Sequence, residues 1–161
     1  MEITDYIDVR TRIDELGLRQ PDGIAILPTN LPVATSSEDL IYAASAEDVV
    51  KLLRSREMSV DVVSPQPFPR QRNHDFTLVL PVLFVATSYY SQNPQAIAVA
   101  LGVVANYATH MLQGFHGGGK VRLNVVVETT KTKSVKRIEY EGPASGICDI
   151  ARIVEQINEA E

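Results

Sequence analysis

Gly114-Phe115-His116-Gly117-Gly118-Gly119-Lys120-Val121 is the stretch whose residue types come closest to chemistry. It fits G-x-x-x-x-G-K, in which backbone amides cradle phosphates and a lysine neutralises them, but Val121 stands where Ser or Thr would hold magnesium. The context is also reversed. A phosphate loop joins a strand to a helix so that helix amides face the anion, whereas here a helical pattern ends and a strand pattern begins. His116-Gly117-Gly118-Gly119 echoes an esterase oxyanion loop, yet the chain offers only Gly142-Pro143-Ala144-Ser145-Gly146 in place of the G-x-S-x-G elbow.

The Gly142–Gly146 turn has the better order for an anion site, strand then turn then helix, with backbone N–H groups aimed outward. The ligand-binding candidates are therefore His116, Lys120, Gly142, Ser145 and Gly146. His110 and His116 are six apart, without the i,i+4 spacing or the neighbouring Cys or acid of a tetrahedral site, so no metal is expected. Cys148 opens the last helix but has no histidine base beside it in sequence, and it reads as a small hydrophobe. No catalytic residue and no cofactor emerge.

The strongest signal is a silence in charge. From Phe76 to Gly119 there is no Asp, Glu, Lys or Arg, where a globular chain would carry about ten. Such a segment is hidden from water, by the core, by a partner or by a bilayer. Within it Asn93-Pro94 starts a helix reaching about Gln113, with Ile97, Leu101, Val104, Ala108 and Met111 on one face. A second face has Ala100, Val103 and Tyr107. A third, of small residues, has Ala98, Gly102, Ala105 and Thr109, which permits close approach of another backbone.

The remaining elements form the frame. Thr4 is the expected cap of a helix with Tyr6, Val9, Ile13 and Leu16 inward, stopped by Gly17, and Asp8/Arg12 and Arg10/Asp14 are its outer i,i+4 pairs. Gly23–Leu27, Asp39–Ala43 and Val60–Val63 read as strands. Ser45 and Asp48 suggest a capping box for a helix to Arg56. Ser64-Pro65-Gln66-Pro67-Phe68-Pro69 begins a proline-rich strap over 64–75. Phe76–Leu80 reads as a buried strand and Pro81–Tyr90 as a helix with Pro at its first position. Val121–Glu128 alternates and pairs with Val135–Tyr140 across Thr129–Ser134; a last helix carries Ile147, Ile150, Val154 and Ile157.

Length and composition bound the class. At 161 residues, 45% hydrophobic, the chain suits a single domain with one core. The expected fold is α+β, a mostly antiparallel sheet on the central apolar helix with amphipathic helices flanking it; a three-layer α/β arrangement is the alternative. A net charge of −5 gives no basic field for nucleic acid. Six basic residues do cluster in Lys120, Arg122, Lys131, Lys133, Lys136 and Arg137, but no aromatic interleaves with them. One cysteine and an acidic start without a secretory pattern point to the cytoplasm.

The functional expectation is a non-catalytic protein that assembles with itself or docks a protein partner through 76–119, anchored by Phe84, Tyr89, Tyr90, Tyr107 and Phe115. A phosphate or small-molecule module using the Gly loops is the alternative. A membrane-active protein is the second, since Pro94–Leu112 reaches the length of a span, although Asn106, Thr109 and His110 weaken it.

Overall fold

In the computed structural model the described residues are 1–63, 70–71, 77–113, 119–129 and 134–159. Phe76, Gly114–Gly118 with Phe115 and His116, the 130–133 turn and nearly all of the 64–75 strap lie outside them.

Alternation in the sequence builds the largest piece, the antiparallel hairpin of β8 (Lys120–Glu128) and β9 (Val135–Gly142), in register from Val121 opposite Gly142 to Glu128 opposite Val135. Its odd positions Val121, Leu123, Val125 and Val127 are all buried, as a period-two pattern requires. On one side of the hairpin lies β1 (Glu2–Asp5), antiparallel to β9. On the other, β7 (Val82–Val85) runs parallel to β8 and antiparallel to β2 (Ile24–Leu27), which takes β4 (Val60–Val62) as a parallel edge. The sheet order is β1-β9-β8-β7-β2-β4, with β6 (Thr77–Val79) also parallel to β8. Tyr42–Ala43 (β3) and Arg70–Gln71 (β5) form a separate two-stranded pair. The fold is α+β.

Two crossovers position the helices. Chain from β2 to β4 passes through α2 (Ala46–Ser55), and from β7 to β8 through α3 (Thr87–Gln92) and α4 (Ala96–Leu112). The two crossovers start from antiparallel strands and leave in opposite directions, so right-handed connections set α2 and α4 on one face. There they touch, and α4 also packs on the 3-10 segment Ala144–Asp149 and on α5 (Ile150–Glu159). The opposite face receives α1 (Val9–Glu15), whose Arg10 lies 5.7 Å above the Phe84 ring. The buried apolar residues of both faces form one contiguous cluster.

Three local expectations are corrected. Pro81 does not open a helix: Val82–Val85 is strand, and Leu80–Pro81 interrupts a strand path paired throughout to β8. Thr77 stands opposite Lys120 but Leu83 opposite Val125, so one extra residue is absorbed there. Proline, lacking an N–H, is tolerated at such a bulge. Thr4 is in β1, not a cap; α1 is capped by Asp8, which accepts from the Thr11 amide at 3.2 Å and its hydroxyl at 2.9 Å. Arg10 then reaches Glu128, and Arg12 reaches the Leu31 carbonyl and pairs with Glu15 at i,i+3 instead of with Asp8. Ser45 caps nothing, because its hydroxyl donates to Val79 O at 2.8 Å and ties α2 to β6.

Thr11 hydrogen bonds hold the Asp8 carboxyl below its ordinary value, so its stabilisation is present above the unfolded pKa and lost as pH falls through the folded one. Asp8→Ala should cost about 1 kcal/mol at neutral pH by urea denaturation. That difference should close below about pH 4.

At the end of α2, Glu57 sits at φ 62 while Met58 N–H reaches Leu53 O at 3.2 Å, a left-handed helix stop built with a residue that resists it. Glu57→Gly should therefore raise stability by roughly 0.5–1 kcal/mol in the same measurement.

Candidate interaction face

Helix α4 is apolar all round in sequence, and its environment divides it. Ile97, Ala100, Leu101, Val103, Val104, Ala105 and Ala108 are buried. Met111, expected on the face of Ile97 and Leu101, is instead 44% exposed at the helix end; along the helix Ala98, Val99, Asn106, Thr109 and His110 are exposed, with Gly102 half-exposed among them and Val99 at 50%. At about 100° per residue these outward positions form one ridge along a helix roughly 25 Å long. It carries no charged side chain. A Cβ placed on Gly102 would meet nothing within 4 Å, so packing within the protomer does not demand glycine there. Among the described residues no helix is long and apolar enough to cross a membrane.

The ridge has a groove on each side. Toward α2, Leu52, Arg56, Val103, Asn106, Tyr107 and His110 line a space of about 230 Å³. Toward α5, Tyr90, Pro94, Ile97, Cys148, Arg152 and Glu155 are among the residues around a cleft of about 520 Å³. Tyr107 contacts Asp48 Oδ2 at 3.4 Å, and burial first, then that carboxylate, raises its pKa. Tyr90 is raised by burial and then by Glu155 and Glu159.

The expected aromatic anchors are thus dispersed. Phe84 has no exposure and belongs to the core beneath Arg10, where it offers a partner no surface. Tyr89 is half-buried against the backbone of Gly23, where an added Cβ would come within 2.9 Å of its ring. Tyr90 and Tyr107 flank α4 on its two sides. Phe115 and His116 are outside the described residues. What the sequence reading left out is Val99, Asn106 and the α2 residues Leu52 and Arg56. The signal was available in the helical period, which sets Val99, Gly102 and Asn106 on one flank.

The Gly loop at the end of β9 is filled by the protein itself. Tyr140 donates its hydroxyl to Pro143 O at 2.5 Å, and a Cβ on Gly146 would lie 2.1 Å from the Tyr140 hydroxyl oxygen. The glycine thus makes room for a phenol in the space where an anion would sit. Lys120, at the same end of the hairpin, is bound by Glu141 at 2.6 Å, with Arg122 at 3.4 Å from the same carboxylate. The Lys120 hydrogen bond holds the Glu141 carboxyl below its ordinary value. Ser145 is exposed and points to no partner among the described residues. Cys148 is a free, exposed thiol. No group of three or more His, Cys, Asp or Glu side chains arranged for a metal occurs among the described residues.

Gly146→Ala should lower stability by about 1–3 kcal/mol through overpacking, measured by denaturant unfolding. In a Tyr140→Phe background only part of that loss should vanish, since the hydroxyl oxygen is gone but ring carbon Cζ still stands 2.8 Å from the added Cβ.

Compared with models of protein families, with curated proteins and with solved structures, the chain matches none.

Proposed function

We propose that this is a non-catalytic assembly protein that pairs with a second copy of itself across the outward face of α4. The observation that carries the reading is the character of that face: a fully formed surface helix whose exposed flank is Ala98, Val99, Gly102, Asn106 and Thr109, without one charge. Exposed helix positions ordinarily take Lys and Glu, which favour helix and solubility at no packing cost. Mid-helix glycine costs roughly 1 kcal/mol relative to alanine, and among the described residues nothing lies within 4 Å of where its Cβ would stand. Close passage of another helix accounts for both.

Small residues four apart, Ala98, Gly102 and Asn106, leave a shallow furrow into which the same furrow of a second copy fits. Self-pairing needs only one surface, as in the isologous contacts of two-fold dimers. A stable interface covers about 800 Å² on each protomer, more than one ridge provides. The shoulders supply the rest, with Leu52 and Tyr107 on the α2 side and Tyr90 on the α5 side. Those shoulders differ in charge: α2 and its end are balanced, Lys51, Arg54 and Arg56 against Glu47, Asp48 and Glu57, while α5 is net acidic, Glu155 and Glu159 against Arg152. A two-fold axis parallel to α4 brings them face to face. The single thiol supports a reducing, cytoplasmic setting for this assembly.

Sedimentation should give a dimer at micromolar concentration. Gly102→Leu should convert it to a folded monomer with unchanged circular dichroism, because the site has open space in the protomer. A wild-type monomer at high concentration would remove the proposal.

A further inference from the structure

The groove between α2 and α4 is built from side chains that the protomer leaves uncommitted. Leu52, Val103 and the Tyr107 ring supply an apolar floor, and Arg56, Asn106 and His110 stand around it. Most other described cations are engaged: Arg10 with Glu128, Arg12 with Leu31 O, Lys51 with Glu47, Arg54 with Val60 O, Lys120 and Arg122 with Glu141. Arg56 makes no ion pair among the described residues, and neither Asn106 nor His110 has a side-chain hydrogen bond there. Tyr107 donates its hydroxyl to Asp48 Oδ2 at 3.4 Å.

We infer that this groove binds a small monocarboxylate with an apolar body. A planar guanidinium accepts a carboxylate in a two-point contact. The Asn106 amide donates a further hydrogen bond, and the apolar body rests on Leu52, Val103 and the phenol. A volume of about 230 Å³ suits a phenyl or a short branched alkyl group carrying one acid, and is below the roughly 300–1,000 Å³ of sites for larger ligands. Neutral and cationic ligands gain nothing from Arg56, which gives the site its sign. Every residue it uses comes from one protomer, and because the self-pairing proposed above covers Leu52, Arg56, Asn106 and Tyr107, ligand and second copy compete for this groove.

The test is a titration of the full-length, ¹⁵N-labelled protein with phenylacetate and, separately, with its uncharged isostere phenylacetamide, followed by amide chemical shifts. Phenylacetate should give saturable shifts centred on Leu52, Arg56, Val103, Asn106 and Tyr107, with phenylacetamide about tenfold weaker. In the Gly102→Leu monomer, Arg56→Gln should weaken phenylacetate by a similar factor while leaving thermal melting unchanged, since Arg56 makes no ion pair among the described residues of its own protomer. Leu52→Glu, at a position 39% exposed, should abolish binding by placing a like charge beside the acid. Equal binding of acid and amide, an Arg56→Gln change without effect on affinity, or no saturable shift of the Gly102→Leu monomer at tens of millimolar phenylacetate would each overturn the inference. The Gly102→Leu monomer should bind phenylacetate more tightly than a dimeric wild type, whose pairing covers the groove, and as tightly as a monomeric one. That arm separates failure here from failure of the assembly reading.

Discussion

The contact between Arg10 and Glu128 lets a seven-residue helix close one face of the sheet. Arg10 Nε lies 2.9 Å from Glu128 Oε2 and Nη2 3.3 Å from Oε1, a two-point pair. The same guanidinium donates to Pro21 O at 2.7 Å and covers Phe84. Glu128 in turn accepts from the Thr87 amide at 3.4 Å, and its backbone carbonyl takes the Thr87 hydroxyl. One carboxylate at the end of β8 therefore joins α1 to the start of α3. Both side chains are about a quarter to a third exposed, so the ion pair itself contributes modestly. Its larger effect is to hold an arginine stem and α1 over apolar surface that would otherwise be wet.

That arrangement explains where the missing charges went. Every residue of β7 is buried, because α1 and Arg10 lie on one side and the helical layer on the other. A strand dry on both faces has no place for Lys or Glu. The inward half of α4 is uncharged for the same reason. Burial thus accounts for most of the described part of the segment, and the outward flank of α4 is the part left over.

Elements with long, regular periodicity were legible in the sequence: the alternation of Val121–Glu128 and the apolar helix expected to reach about Gln113 both correspond to observed elements, although Asn93 closes α3 instead of capping α4, which starts at Ala96. Where local rules failed, a tertiary contact had taken the residue that the rule relied on. Ser45 bonds a neighbouring strand, Thr4 joins the ladder opposite Arg137, and the Phe84 ring went to the core. A run such as Val82-Leu83-Phe84-Val85 has no polar position to set its period, so helix and buried strand look alike. At the site, the glycines were conspicuous but their reason was not. Gly146 answers to Tyr140, six residues away, and Gly102 to nothing inside the protomer.

The offset at Leu80–Pro81 reaches further than its one residue. A pleated ribbon sends neighbouring side chains to opposite sides, so the inserted position reverses the parity of everything after it. Had the chain continued from Thr77–Val79 without slipping, Phe84 would have pointed into the layer of α2 and α4, and Leu83 and Val85 would have lain under the Arg10 guanidinium. The ring that the cation needs beneath it would be on the wrong side of the molecule. A single proline thereby acts as the phase setting for both halves of the interior.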